Sequence, residues 1–184
     1  MRITALLENT TIDTALRPKH GLSIYIETPK HKVLFDLGPD DTCLDNAQIM
    51  GIDLAQVDTV VLSHGHYDHG GALASFLKIN DKARLFFHKQ AFEPHYHKRL
   101  FVKKYVGLDT NQADNARISF TGDTMRIDDE LFLFSDVEGL ASELSLRDTE
   151  FYTCHCTGNT AFEIMRGIMG NKIHYLATGS VIEF

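Results

Sequence analysis

Ser63-His64-Gly65-His66-Tyr67-Asp68-His69-Gly70-Gly71 places three histidines and one aspartate within six residues. The stretch directly follows Val57-Asp58-Thr59-Val60-Val61-Leu62, an apolar, β-branched run that reads as a buried strand. Residues 71–78 read as a helix, so the histidines occupy a strand-to-helix loop. Open α/β sheets place their ligands at this end of a strand. His64 and His66 are two apart in extended chain, so their rings point to one side and can share a metal ion. Asp68 and His69 follow a turn and can face a second ion a few ångströms away. Gly65, Gly70 and Gly71 let the backbone crowd close to that centre.

Upstream of the loop, residues 2–8, 21–27 and 32–36 read as strands, with turn chemistry at Pro18-Lys19 and Pro29-Lys30. Residues 41–50 read as a helix capped by Asp40 or Asp41 and closed by Gly51. Downstream, 84–87 reads as a strand, and 117–120, 124–127 and 131–134 as a meander. Residues 150–153 make another strand, ending at Cys154-His155-Cys156. Thr160 and Glu163 form a capping box for a helix running to Met169 and stopped by Gly170. Residues 173–178 and 181–184 read as closing strands. Strands first, then β-α-β order, indicate an α/β (α+β layered) architecture with helices over sheets. Neither a repeat nor a Ser/Gly linker interrupts the chain, so 1–184 reads as a single domain.

The 184 residues are 43% hydrophobic and 23% charged, with 13 Gly and 4 Pro, which excludes a disordered or fibrous chain. The net charge is −7, and no nucleic-acid partner is expected, since such a footprint would be basic. Cys43, Cys154 and Cys156 cannot all pair within one chain, and a strand places the last two on one face, a poor disulfide geometry. Cys43 reads as core. The N-terminal run Met1 to Glu8 is too short for a signal peptide's apolar core, and no apolar run reaches the ~18 residues of a membrane span. The expectation is a reduced, cytoplasmic chain with no membrane partner.

The motif His64-x-His66-x-Asp68-His69 resembles the signature of the metallo-β-lactamase superfamily. Leu34-Phe35-Asp36-Leu37-Gly38 is similar to its upstream strand-turn, and Val60-Val61-Leu62-Ser63 to its entry strand. Glu8-Asn9, His20-Gly21-Leu22-Ser23 and Cys154-His155-Cys156-Thr157-Gly158 resemble the subgroup named for a dihydropterin ribofuranosylaminobenzene phosphate synthase. The resemblance implies an αββα sandwich with a metal site at one edge. His64 and His66 would bind one ion, and Asp68, His69 and His155 a second. Asp36 would orient a ligand histidine. A metal-activated hydroxide would do the chemistry, with Asp68 orienting the nucleophile. Imidazole with carboxylate suits zinc, with iron or manganese as alternatives, up to two ions per chain.

The subgroup's Gly-Cys-Ser-His-like and Gly-Gly-Phe-His-like stretches, which complete that site, do not occur here. The chain passes from Phe134 to Phe151 in an interval too short for the family's strand, helix and second strand. It therefore reads as a member with its second half shortened near residue 138. Asp136, Asp123, His88 or water would stand in for the missing ligand. The lost strands would leave an edge and apolar surface near 131–146, so a homo-oligomer is expected. His95-Tyr96-His97 reads as a solvated loop. Lys98, Arg99, Lys103 and Lys104 read as a solvated helix face, or else as a patch drawing an anionic small-molecule substrate. The leading function is a metal-dependent hydrolase. The alternatives are a transferase acting on a pterin-related phosphorylated substrate and a catalytically impaired metal-binding protein.

Overall fold

The computed structural model describes residues 1–99, 102–122, 124–134, 150–154, 162–163, 166–167 and 170–183. Its centre is a seven-stranded sheet. In chain order the strands are β1 (Arg2–Leu7), β2 (Ser23–Glu27), β3 (Lys32–Phe35), β4 (Thr59–Leu62), β5 (Arg84–His88), β8 (Ile118–Thr121) and β13 (Val181–Glu183). They lie side by side as β13-β1-β2-β3-β4-β5-β8. The β13 to β3 half is antiparallel, and the β3 to β8 half is parallel. Parallel neighbours need crossovers. α1 (Thr42–Ile49) carries the chain from β3 to β4, while α2 (Tyr67–Gly70) and α3 (Leu73–Ile79) carry it from β4 to β5.

β4 explains why this half is parallel and covered. Its four residues, Thr-Val-Val-Leu, are all buried, as expected for a strand with packed material on both faces. Leu34, Val60 and Leu85 on adjacent strands have no exposed surface, and Phe76 of α3 packs into the same cluster. Cys43 is in that core as the sequence indicates, its thiol donating to the Leu37 carbonyl oxygen at 2.8 Å. Burial pushes the Cys43 thiol up to about 12, so it stays an inert thiol at neutral pH.

Two buried polar groups fix the chain ends and α1. Asn46 of α1 donates from Nδ2 to the carbonyls of Leu6 (2.8 Å) and Arg17 (2.9 Å), and its Oδ1 accepts from Arg17 N–H at 3.0 Å. The first turn of α1 is held by Asp40, whose Oδ1 accepts from Thr42 N–H and Oγ1–H. Asp41 sits at the N-cap without a side-chain bond. Gly51, at φ +71°, ends the helix in a conformation that favours glycine. Glu8, fully buried, accepts from Thr10 N–H and from the Tyr175 hydroxyl, tying β1 to the C-terminal segment.

Several elements differ from the sequence reading. The expected meander is split: β8 joins the large sheet, while β9 (Thr124–Arg126) and β10 (Phe132–Phe134) form a separate hairpin. The closing strand expected over 173–178 is only β12 (Ile173–Tyr175), which runs parallel to β11 (Phe151–Thr153). The basic segment read as a solvated helix face is a β-hairpin instead, β6 (Tyr96–Arg99) with β7 (Val102–Tyr105). Cross-strand packing overrides the weak strand preference of its lysines. Tyr96 and Tyr105 meet edge to face with centroids 5.5 Å apart, and Lys103 Nζ lies 3.8 Å over the Tyr96 ring. Phe162, Glu163, Arg166 and Gly167 are helical. The rest of the helix expected from Thr160 to Met169 lies outside the described residues, as does the interval around residue 138. No helix among the described residues is long and apolar enough to cross a membrane.

Candidate metal centre

The loop is built on Asp36. Asp36 follows β3 with its backbone at φ +59° and no exposed surface. Aspartate is among the few non-glycine residues that tolerate this conformation. Its Oδ1 accepts from Ser63 N–H at 2.8 Å, just past β4. Its Oδ2 accepts from the Ser63 hydroxyl and from His69 Nδ1–H, both at 2.7 Å. Leu37 N–H adds a bond to the His69 carbonyl at 2.6 Å. The carboxylate thus clamps both ends of the histidine loop. Burial pushes the Asp36 carboxyl above its ordinary value, against the pull of His69 and Ser63 in the other direction.

Donor counting then sets the tautomers. The single Ser63 hydroxyl proton goes to Asp36, so at 3.0 Å Ser63 Oγ accepts from His64 Nδ1–H. The lone pair of His64 is therefore on Nε2. His69 gives its Nδ1 proton to Asp36, so its lone pair is on Nε2. His64 Nε2 faces His66 Nδ1 at 3.1 Å. Two nitrogens each ~2.0–2.1 Å from a tetrahedral zinc lie roughly 3.3 Å apart, so this pair is spaced as ligands of one ion. Burial, followed by the neighbouring imidazoles of His69 and His66, holds His64 down to about 4. Burial also lowers His66. Both rings are neutral at pH 7, the form that binds metal.

Asp68 and His69 lie in α2 and are buried. Asp68 Oδ2 is 3.8 Å from His69 Nε2 and 3.3 Å from His20 Nε2. The His64 and His69 ring centroids are 4.1 Å apart. The structure thus brings His64, His66, Asp68, His69 and Asp36 together. His155, Cys156, Asp123 and Asp136 lie outside the described residues. Cys154, just past β11, is partly buried. His88 ends β5, with its Nδ1 accepting from Gln90 N–H at 3.3 Å. It lines a cleft of about 380 Å³ with Ser63, Thr121 and Phe132, beside the loop.

The sequence reading missed the contribution of the hairpin. His95, read as part of a solvated loop, has its ring 5.2 Å from that of His66. Tyr67 N–H donates to the Val106 carbonyl, Val106 N–H donates to the His95 carbonyl, and His66 bridges to Gly107. The hairpin is therefore stitched to the histidine loop. Together they enclose a cleft of about 370 Å³ lined by His20, His66, Asp68, Tyr96, His97 and Lys104. A second His-x-His beside Lys and Arg was the only signal of this in the sequence.

Among the described residues, no three ligand-type side chains already stand in coordination geometry. The donor set still fits a divalent metal. The His64–His66 spacing, the Asp68 carboxylate and the Asp36-oriented imidazole of His69 are the chemistry of zinc, iron or manganese sites.

The sequence model of the metallo-beta-lactamase superfamily matches residues 16–160. The chain belongs to that superfamily. Its fold agrees: the solved structure of Tm1679, a metal-dependent hydrolase of the beta-lactamase superfamily, superposes with a TM-score of 0.76 at 21% identity, over 100% of this chain and 99% of the other. Over 81 residues the chain is 35% identical to 7,8-dihydropterin-6-methyl-4-(beta-D-ribofuranosyl)-aminobenzene-5'-phosphate synthase of Methanocaldococcus jannaschii, covering 41% of this chain and 28% of that one. It is 32% identical over 109 residues to an uncharacterized protein of the same organism, covering 58% of this chain and 40% of that one. The matched segments thus span less than half of either curated relative, whereas Tm1679 shares the superfamily fold at this chain's own extent. Most of the superfamily are metal-dependent hydrolases.

Substitution of Asp36 should be costly, because its buried carboxylate accepts three hydrogen bonds from Ser63 and His69. Removing one partner from a buried charge pair typically costs about 3–5 kcal/mol, and alanine also strains a residue at φ +59°. Asp36→Ala should therefore lower the unfolding free energy from urea melts by about 3–5 kcal/mol, with a lower midpoint, and Asp36→Asn by less, since asparagine tolerates the backbone. Both should weaken metal affinity by ~10–100-fold, the usual cost of losing a group that orients a ligand. An unchanged midpoint for Asp36→Ala would contradict the clamp.

Proposed function

We propose that the chain is a metal-dependent hydrolase acting on a small anionic substrate. His64 and His66 hold one ion, and Asp68, His69 and His155 a second, with zinc preferred over iron or manganese. The observation that carries this reading is the 3.1 Å approach of two ring nitrogens, His64 Nε2 and His66 Nδ1, on a loop locked by Asp36. When bound, the metal lowers the pKa of water and polarises a carbonyl or phosphoryl oxygen. The chain's own groups do the rest. Asp68, buried at the cleft floor, orients the attacking water and holds its proton. His20, His97 and Lys104 line the same cleft and offer donors and positive charge to an anionic group.

The identity to the M. jannaschii synthase favours a second reading, group transfer on a pterin-related phosphorylated substrate. A screen of esters, lactones and phosphodiesters with zinc-loaded protein separates the two. Hydrolysis of anionic members supports the first reading; turnover only with a phosphorylated acceptor pair supports the second. Asp68→Ala should lower the rate by ~10²-fold or more, in line with loss of a proton-transfer group, with little change in melting temperature. A variant that melts far earlier yet keeps its rate contradicts the assignment.

We also propose that the chain works as a homo-oligomer. Among the described residues, β8 is an edge of the large sheet. Phe120 on β8 and Phe132 on β10 are 48% and 50% exposed. Two such edges satisfy one another around a two-fold axis, the commonest oligomer symmetry. Light scattering on a size-exclusion column should give twice the 20.7 kDa chain mass. A single-chain mass across a wide dilution range would overturn the proposal.

A further inference from the structure

We propose that His95 supplies a third imidazole to the ion held by His64 and His66. The inference rests on the metal-centre reading above and assigns to this chain a ligand from the hairpin side of the cleft.

Three independent observations support it. First, His95 Nε2 is buried and has no hydrogen-bond partner. A buried polar nitrogen left unmatched is destabilising, so such groups persist where something else engages them. Second, the ring stands 5.2 Å from His66, nearly perpendicular to it at 80°. The open nitrogen is therefore within a side-chain rotation of the pair that already faces one point. Third, the backbone on both sides is shaped to admit it. A Cβ on Gly65 would lie 2.7 Å from His95 Nε2 and 2.0 Å from the Ala91 carbonyl oxygen. Glycine between His64 and His66 lets the loop backbone lie directly against Ala91 and the imidazole of His95.

The position is also fixed rather than incidental. The His95 carbonyl accepts from Val106 N–H at 2.9 Å, and the Val106 carbonyl accepts from Tyr67 N–H at 2.8 Å. These bonds tie His95 to the same turn that carries Asp68 and His69. Ligand counting agrees: a tetrahedral ion with two imidazoles and a water has one position left for a protein group.

The test is a titration of chelator-stripped full-length protein with cobalt(II), read by visible absorption and by competition with a chromophoric chelator. The parent should bind the ion in a tetrahedral, intensely coloured form. His95→Ala should weaken that site by more than the ~10–100-fold expected for loss of an outer partner, and should turn the spectrum toward a weaker, higher-coordinate form. His97→Ala, its neighbour in the cleft, should leave both unchanged. His95→Cys serves as the second variant should alanine fail to fold. It should bind cobalt with a sulfur-to-metal charge-transfer band in the near ultraviolet that the parent lacks. A parent that binds cobalt normally, with His95→Ala equal to it and no new band in His95→Cys, overturns the role of His95 alone. A parent that takes up no metal overturns the metal-centre reading together with this one.

Discussion

A fully buried carboxylate sets the geometry on which the rest of the site depends. Asp36 gives its two oxygens to Ser63 and His69, and so fixes the start and end of a seven-residue loop from a single point. A buried carboxylate is tolerable only when its oxygens are matched by donors, and this one accepts three hydrogen bonds. The consequence reaches the metal-binding atoms through proton bookkeeping. Because the Ser63 and His69 protons point at Asp36, the lone pairs of His64 and His69 are on their Nε2 atoms. The left-handed backbone at Asp36, the buried β4 strand and the packing of α1 against β1 all serve to hold that carboxylate in place.

Sequence and structure agree most closely where the signal is local. The Thr-Val-Val-Leu run of β4, the glycine stop at Gly51 and the histidine spacing are each legible within a few residues, because each reports on its own backbone conformation. Asp36 was legible through the strand-turn that contains it. The hairpin was not. Residues 96–105 carry four basic side chains and no apolar alternation, so periodicity has nothing to find there. The hairpin forms because Tyr96, Tyr105 and Lys103 pack across the strands, and because Val106 bonds on one side to His95 and on the other to Tyr67. Both are nonlocal facts. His95 was missed for the same reason: the sequence places it 29 positions beyond His66, and only the bonded connection between the two loops brings the rings together.

The division of the sheet gives the site its asymmetry. The parallel half delivers β4 and its loop to one edge with rigid support from both faces. The hairpin reaches back over that edge and carries the positive and imidazole groups. Among the described residues, Lys104 and His97, paired across the hairpin strands, line the same cleft as Asp68.

The central claim is that this chain binds metal through imidazole and carboxylate groups presented by the Asp36-anchored loop. X-ray absorption at the zinc edge of the zinc-loaded protein tests it most directly, since it reports the identity of the ligand atoms without requiring a substrate. The account predicts nitrogen and oxygen neighbours at ~2.0–2.1 Å with the outer-shell scattering of several imidazoles, and no sulfur at ~2.3 Å. A sulfur shell, which would place Cys154 or Cys156 on the metal, or a protein that holds no zinc at all, would contradict it.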